Sequence, residues 1–224
     1  NERQIWLANR DAGVAELDLQ QYRVKRWPLP VLPGLLKQPT LVRQVVQSKT
    51  GLVYVGTDNG LFSLDPVSKV WQLQSLRDGL QPHIGYLHLD SQERLWIGTR
   101  GQGLFLLEQG RVLQFHQAVR PGVALNNAAI SILASDAQDY LWIGLADQGL
   151  VRLHKQNGQL QSWQSSDGSG LRFDGIQLIY PEGGQLWVRA GNINHRVLYD
   201  GQQPQKVEGF KAYLSSADHD KYLE

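Results

Sequence analysis

Cysteine is absent from the 224-residue sequence, which excludes disulfides, thiolate metal sites and cysteine nucleophiles. An excess of one charge sign is also missing. With 22 basic and 21 acidic residues the net charge is +1, so charge gives no reason to expect nucleic acid or an anionic membrane as a partner. No apolar run reaches the roughly 18 residues of a membrane-spanning helix. The length suits one large all-β domain or two small domains.

Familiar catalytic and metal-binding motifs are missing as well. None of the six histidines forms an H-E-x-x-H motif, and neither a G-x-S-x-G elbow nor a D-x-D-x-D-G calcium loop occurs. We therefore predict no catalytic residue, no metal and no cofactor, although carboxylates of distant segments could still meet in space. The first residues, Asn1-Glu2-Arg3-Gln4, contain neither an initiator methionine nor a signal peptide, so we expect a fragment or a processed form.

A repeat is what the sequence does contain. Residues 95–107 form a short apolar run, a polar turn with glycines and a second apolar run, which predicts a β-hairpin. Four other segments share the pattern, and the first run of each carries an aromatic anchor. The five anchors are Trp6, Tyr54, Trp96, Trp142 and Trp187. Short strands that recur about every 45 residues predict a propeller-type repeat.

Each repeat is predicted to form one four-stranded antiparallel blade, with strands a to d from the inside outwards. The blade units are residues 1–27, 41–73, 84–115, 129–163 and 175–210. The first unit lacks strand a, which residues 211–216 would supply if five blades close into a ring, because closure removes open sheet edges. An excerpt of a larger propeller is supported equally. In both cases the predicted fold class is an all-β propeller in a single domain, residues 1–224.

The recurring residues are interpreted mainly as scaffold. The anchors favour burial between blades over stacking on a carbohydrate, because every repeat has one. Three further tryptophans on the outer strands are interpreted as packing residues: Trp27, Trp71 and Trp163. The glycines that end strand b suit close packing or a β-bulge, and they are Gly56, Gly98 and Gly144. Asp90 and Asp136 are predicted to fix the a–b turns rather than to bind calcium.

The pattern D-x-x-x-x-Leu-Trp-Ile-Gly-Thr-x-x-x-Gly-Leu resembles the two-component regulator propeller repeat. Residues 90–107 and 136–153 carry this resemblance, and residues 54–61 follow it closely. The units around Trp6 and Trp187 depart from the pattern, since Arg189 stands where glycine is expected. Family members commonly have seven blades or two propellers, so five blades leave the completeness of the propeller open.

The resemblance implies a periplasmic sensor region of an inner-membrane bacterial receptor, either a hybrid histidine kinase or a diguanylate cyclase. Such regions recognise extracellular ligands, often oligosaccharides. The implied partners are a small-molecule or glycan ligand and membrane-anchored downstream signalling domains. A homodimer is compatible with this architecture, and nucleic acid is not an expected partner.

The b–c turns and the d–a connections are predicted to share one face, with the short a–b turns on the other. The d–a connections, such as residues 117–127, are long and varied, and variable loops on a repeated scaffold are where function tends to lie. A solvated rim is nevertheless the simpler interpretation for any single residue there. The candidate ligand-binding residues are Arg100, Gln102, Arg189, His83, Asn127, Asp58, Asn59 and Asp147. Other polar residues assigned to the b–c turns are Asn9, Arg10, Asp11, Gln148, Asn192 and Asn194.

Three functions remain open at this point. The first is a sensor domain that binds a small ligand or glycan and is not itself an enzyme. The second is a propeller enzyme, such as a polysaccharide lyase or a glycosidase, and the third is a protein-interaction scaffold. The absence of a recognisable acid–base or metal constellation favours the sensor.

Overall fold

The computed structural model describes residues 4–9, 13–31, 38–77, 81–121, 123–166, 171, 174–182, 185–191, 193–199 and 204–210. These residues form strands and loops, and none of them lies in a helix that is long and apolar enough to cross a membrane. The chain divides into two compact units, Asn1–Leu133 and Ala134–Glu224. Each unit is described by itself below.

Among the described residues, the first unit contains three antiparallel sheets of three or four strands, in which the strands are neighbours in chain order. The first sheet consists of β1 (Gln4–Asn9), β2 (Gly13–Asp18) and β3 (Arg23–Trp27). The second sheet consists of β4 (Val42–Gln47), β5 (Val53–Thr57), β6 (Gly60–Asp65) and β7 (Val70–Gln74). The third sheet consists of β8 (Ile84–Leu89), β9 (Leu95–Thr99), β10 (Leu104–Glu108) and β11 (Arg111–Gln114).

The d–a connection after the third sheet has secondary structure that the sequence did not predict. Residues 117–127 contain a small antiparallel hairpin of β12 (Ala118–Arg120) and β13 (Val123–Ala124). The sequence indicated only a long connection between two blades here. Strands of two and three residues are too short to leave an alternating pattern in a sequence.

Two four-stranded antiparallel sheets follow, again with strands in chain order. The fourth sheet consists of β14 (Ile130–Ser135), β15 (Tyr140–Leu145), β16 (Leu150–His154) and β17 (Leu160–Trp163). The fifth consists of β18 (Ile176–Glu182), β19 (Gln185–Ala190), β20 (Ile193–Tyr199) and β21 (Pro204–Phe210). The predicted fold class, β-propeller blades of four antiparallel strands, is confirmed. Residues 211–216 lie outside the described residues, so the choice between a closed ring and a larger array stays a prediction.

Each blade has two faces with different side chains, because successive residues of a strand point to opposite sides. We call the face with the anchor the aromatic face and the opposite one the aliphatic face. In the third sheet, for example, Trp96 lies on the aromatic face, whereas Leu95 and Ile97 lie on the aliphatic face. Both kinds of face are buried in this sheet.

Neighbouring sheets of the first unit pack an aliphatic face onto an aromatic face. Val53, Val55, Phe62 and Leu64 of the second sheet join one core cluster with Trp6, Val14 and Trp27 of the first sheet. A second cluster repeats this arrangement one blade further along. It joins Leu95, Ile97, Phe105 and Leu107 of the third sheet with Val46, Tyr54 and Leu61 of the second.

The glycine near the end of strand b permits this packing. A Cβ added to Gly56 would lie 2.6 Å from Cγ2 of Ile84, and one added to Gly98 would lie 2.5 Å from Cγ2 of Ile130. The close-packing role predicted for these two glycines is therefore confirmed.

Four of the five recurring aromatic anchors belong to the core or pack against it: Trp6, Tyr54, Trp96 and Trp142. The side chains of Trp96 and Trp142 are fully buried. Trp96 and Trp142 also pack against aromatic rings at or just after the end of strand d, in the pairs Trp96–Phe115 and Trp142–Trp163, with ring centroids 5.5 Å and 5.8 Å apart. This arrangement agrees with the interpretation as inter-blade core rather than as a sugar-stacking surface.

Candidate functional site

The b–c turns meet the d–a connections at one end of the sheets, as the strand order predicts. The Asp58 N–H donates to the Leu41 carbonyl at 3.1 Å, and the Arg100 N–H donates to the His83 carbonyl at 3.0 Å. Both bonds join the residue after strand b to the residue before strand a of the same blade. The shared face predicted for the two kinds of loop is confirmed in these blades.

A second hydrogen bond ties three of the b–c turns to the segment that leads into the next blade. The Gly60 N–H donates to the Pro82 carbonyl at 2.9 Å, and the Gly103 N–H donates to the Ala128 carbonyl at 3.1 Å. In the second unit, the Gly149 N–H donates to the Asp174 carbonyl at 2.8 Å. The acceptor lies two residues before strand a in all three cases, so the turns are fixed in a repeated way.

Two buried threonines hold the turns from inside. The Thr99 hydroxyl donates to the Gly103 carbonyl at 2.8 Å and accepts the Gln102 N–H at 3.0 Å. Thr57 makes the same two bonds, to the Gly60 carbonyl at 2.8 Å and from the Asn59 N–H at 3.1 Å. These internal bonds make the turns rigid supports for the side chains that they carry.

Four of the predicted site residues come together around the b–c turn of the third sheet. Arg100 is exposed, and its Cγ lies 3.5 Å from the position of a Cβ added to Gly85, so its stem passes over the inner strand β8. His83 is half-buried directly beside it. The carbonyl of Gln102 accepts a hydrogen bond from Nε2 of Gln114 at 3.1 Å. Arg100 is exposed on this support, whereas Nε2 of His83 and Oε1 of Gln102 are buried beside it.

Asn127 lies in the connection that adjoins this turn. Its side chain is exposed, but Oδ1 accepts the Ala124 N–H at 3.3 Å, and its own N–H donates to the Ala124 carbonyl at 3.2 Å. Asn127 therefore closes its own turn, which limits what its oxygen can offer to a ligand.

Asp58 is engaged in fixing a loop. Its carboxylate accepts hydrogen bonds from the Thr40 N–H at 2.8 Å, the Thr40 hydroxyl at 2.6 Å and the Leu41 N–H at 3.0 Å. Asp174 in the second unit does the same for Ser165, through the N–H at 2.6 Å and the hydroxyl at 2.9 Å. Sequence reasoning missed Asp174, because it lies in a loop segment with no repeat to mark it.

In the second unit, the neighbours of two predicted site residues, Asp147 and Arg189, both contact Gly175. Asp147 is exposed in a b–c turn, and a Cβ added to Gly175 would lie 2.9 Å from the carbonyl oxygen of the preceding residue, Ala146. Arg189 is exposed, and its Nε donates to the Gly191 carbonyl at 3.4 Å, while the Gly191 N–H donates to the Gly175 carbonyl at 3.2 Å.

Some assignments to the b–c turns need correction or fall outside the structure's description. Asn194 lies in β20, directly opposite Arg189, and not in a turn. The strand extends because β20 pairs with β19 along its whole length, although its polar start resembles a loop. Three other predicted turn residues lie outside the described residues: Arg10, Asp11 and Asn192.

Sequence reasoning also missed two residues that shape the third-sheet turn. Gly85 makes room for Arg100 and for the Ile130 carbonyl oxygen, which would lie 2.6 Å from an added Cβ. Gln114 bonds the Gln102 carbonyl and, at 3.4 Å, the Asn126 carbonyl. A glycine in strand a and a glutamine at the end of strand d are ordinary in a sequence, so neither gave a signal.

The opposite end of the sheets carries the a–b turns. Asp90 is buried, and its Oδ2 accepts hydrogen bonds from Nε of Arg94 at 2.8 Å and from the Trp96 indole at 3.0 Å. Its Oδ1 accepts the backbone N–H groups of Gln92 and Arg94. Asp136 repeats the indole bond, to Trp142 at 2.8 Å. Both carboxylates fix their turns, as the sequence predicts, and tie the turns to the anchors.

Burial disfavours ionisation of Asp90, but the bonds from Trp96 and Arg94 outweigh it and lower the pKa of this carboxyl below its usual value. Asp90 therefore stabilises the fold fully above about pH 4, the usual value of an unfolded aspartate. This contribution is lost as the pH falls through the lowered folded-state pKa. We expect Asp90→Asn to lose stability less steeply than the wild type as the pH falls below about 4. Urea unfolding at a series of pH values measures this, and parallel curves would contradict it.

No protein-family model matches the chain, and no curated protein matches it. Solved structures do resemble it. The extracellular domain of a proposed one-component system from Bacteroides thetaiotaomicron is similar over 84% of this chain and 25% of its own length, with a TM-score of 0.66 and 23% identity. The extracellular domain of a proposed hybrid two-component system from the same organism is similar over 91% of this chain and 28% of its own length, with a TM-score of 0.69 and 12% identity.

An enzyme is also among these neighbours. Virginiamycin B lyase from Staphylococcus aureus is similar over 96% of this chain and 68% of its own length, with a TM-score of 0.67 and 13% identity. At these identities the likeness shows the propeller fold alone. Two neighbours are nevertheless extracellular domains of the receptor class that the repeat resemblance implies. The chain spans about a quarter of the length of these two domains.

Proposed function

We propose that this chain is part of the periplasmic or extracellular sensor region of a bacterial membrane receptor. It binds a small molecule or an oligosaccharide on the face formed by the b–c turns and the d–a connections. It is not an enzyme, and its response passes to membrane-anchored signalling domains. The likeness in fold to the extracellular domains of two such receptor systems supports this proposal.

The hydrogen-bonded turn that holds Arg100 is the main observation in favour of this binding site. The exposed guanidinium stands on a turn held by backbone bonds to His83 and, through Gly103, to Ala128. Because the turn is already ordered, binding costs little further conformational entropy. The guanidinium can donate two parallel hydrogen bonds to a carboxylate or bond the hydroxyls of a sugar. Gln102 and His83 lie beside it and add polar groups of a kind that fixes a ligand's orientation.

The eight predicted site residues contribute unequally to this proposal. Arg100, Gln102 and His83 form its centre, with Asn59 on the neighbouring turn. Asp58 and Asn127 support their loops, because their side-chain oxygens already accept backbone N–H groups. Asp147 and Arg189 are proposed as ligand contacts of the second unit.

Isothermal titration with a panel of oligosaccharides, with and without uronic acid carboxylates, tests the proposal. The wild type should show saturable binding without turnover. Arg100→Ala should weaken binding by about 10- to 100-fold, the value of a hydrogen bond to a charged group. Arg111→Ala is the matched control, because Arg111 is an exposed arginine at the opposite end of the same sheet. Equal affinity of both variants would remove the third-sheet turn from the site.

A propeller enzyme is the second candidate function, since a lyase has a similar fold. Incubation of the purified protein with the same panel, followed by chromatography of the sugars, distinguishes the two functions. New unsaturated or shortened products would support the enzyme and overturn the sensor. Recovery of the intact ligand after saturating binding supports the sensor.

A further inference from the structure

Arg43 is a half-buried arginine in the inner strand β4 of the second sheet. Its Nε is buried without a hydrogen-bond partner, and none of the described carboxylates forms an ion pair with it. Its two terminal nitrogens are not buried in this way, so the outer edge of the guanidinium reaches solvent. The buried Arg94 shows the contrast, because its Nε pairs with Oδ2 of Asp90 at 2.8 Å. A partly buried charge without a counterion costs stability, and an acid group of a ligand would remove that cost.

A β-bulge places Arg43 at the end of β4 that adjoins the candidate site. The register of β4 against β5 shifts between Val42 and Gln44, so Arg43 is the extra residue of the bulge. Val42 pairs with Thr57, the last residue before the b–c turn of this sheet. Bulges redirect side chains and are common beside binding sites. Arg43 therefore lies on the face formed by the b–c turns and the d–a connections.

The third sheet has a bulge at the equivalent place in its own inner strand, β8. The extra residue there is Gly85, and the stem of Arg100 passes over it, with Cγ 3.5 Å from the position of an added Cβ. The two inner strands are joined directly, because Oε1 of Gln44 accepts the Leu87 N–H at 2.7 Å. Arg43 and Arg100 thus lie at equivalent ends of two neighbouring inner strands.

We propose that Arg43 is a second ligand-binding residue of this face, and that the ligand is an oligosaccharide with at least two acid groups. One acid group binds Arg43 and the other binds Arg100. The acid groups are carboxylates or sulfate esters, since both offer two oxygens to the fork of a guanidinium. The inference rests on the proposed function and adds the charge of the ligand to it. The chain's net charge of +1 gives no sign of this preference, because it comes from two local groups.

Isothermal titration with oligosaccharides of equal length tests the inference. One set is neutral, one carries one or two uronic acid carboxylates, and one carries one or two sulfate esters. The wild type should bind the doubly acidic members most tightly, and the set that binds better identifies the acid group. Arg43→Gln should weaken binding of the doubly acidic members by about 10- to 100-fold, the value of a hydrogen bond to a charged group. It should leave binding of the neutral members unchanged.

Lys69→Gln is the matched control. It removes the same charge from the same sheet, but Lys69 is exposed in the c–d turn between β6 and β7, at the opposite end of the strands. We expect it to bind every member of the panel like the wild type.

Thermal unfolding separates a binding role of Arg43 from a structural one. Removal of an unpaired, half-buried charge removes a desolvation cost, so Arg43→Gln should unfold at the same temperature as the wild type or at a higher one. A lower unfolding temperature, together with weaker binding of neutral and acidic members alike, would show a structural role and overturn the inference.

The titrations also distinguish this inference from the proposed function. If the wild type binds neutral members as tightly as acidic ones, the inference is overturned and the proposed function stands. The same holds if Arg43→Gln binds the doubly acidic members as tightly as the wild type does. If the wild type binds no member of the panel, both are overturned.

Discussion

Asp90→Ala should lower the free energy of unfolding by about 3–5 kcal/mol, the usual loss when one partner of a buried ion pair is removed. Asp90 is 4% exposed, and its carboxylate accepts four hydrogen bonds, among them those of the Arg94 guanidinium and the Trp96 indole. Alanine would leave the positive charge of Arg94 in a buried position without this carboxylate. It would also remove the bond that fixes the indole of a fully buried anchor.

Asp136→Ala provides the matched comparison. Asp136 makes the same indole bond to Trp142. The residue four positions after it is Tyr140, whose backbone N–H donates to Asp136, whereas the residue four positions after Asp90 is the charged Arg94. We therefore expect Asp136→Ala to cost about 1–3 kcal/mol, the range for leaving a buried neutral donor unsatisfied. Urea unfolding of both variants at pH 7, followed by tryptophan fluorescence, measures the difference. Equal losses would show that the Arg94 charge contributes little.

The blades themselves could be predicted closely from the sequence. The predicted blade unit 84–115 begins where β8 begins, at Ile84, and the predicted unit 129–163 ends where β17 ends, at Trp163. Apolar runs with an aromatic centre, bounded by glycines and polar turns, leave few alternatives for such segments. The role of Asp90 was predictable for a similar reason, since an aspartate at the start of a tight turn accepts local N–H groups in most contexts.

The exposure of a face could not be predicted in this way. Ile5 and Leu7 flank Trp6 just as Leu95 and Ile97 flank Trp96, and the two segments give the same pattern, yet the first pair is exposed and the second pair is buried. Only the presence or absence of a neighbouring sheet separates them, and that is a long-range property. Asp58 shows the same limit at the candidate site. An aspartate in a b–c turn is equally compatible with contacting a ligand and with holding a neighbouring loop. The hydrogen bonds that Asp58 accepts from Thr40 show that it holds the loop.

Gly103→Ala should destabilise the protein by at least about 3 kcal/mol, because it adds a backbone clash to an unfavourable conformation. Gly103 has φ of 82°, a region that residues with a side chain rarely adopt. An added Cβ would also overlap the carbonyl oxygen of Leu125 and lie 2.6 Å from Cα of Asn126. Both are backbone atoms, so the chain that leads into the fourth sheet would have to move.

Gly101→Ala in the same turn separates the two contributions. Gly101 has φ of 98°, but nothing lies within 4 Å of an added Cβ. It therefore has the conformational cost alone, about 1–2 kcal/mol. Thermal and urea unfolding of the two variants should differ by the cost of the clash. The Gly103 N–H donates to the Ala128 carbonyl and so holds the turn that carries Arg100 and Gln102. Gly103→Ala should therefore also impair any binding that depends on Arg100. Equal stability of the two variants would mean that the contact between the b–c turn and the next blade is loose, and the candidate site would then lack its rigid support.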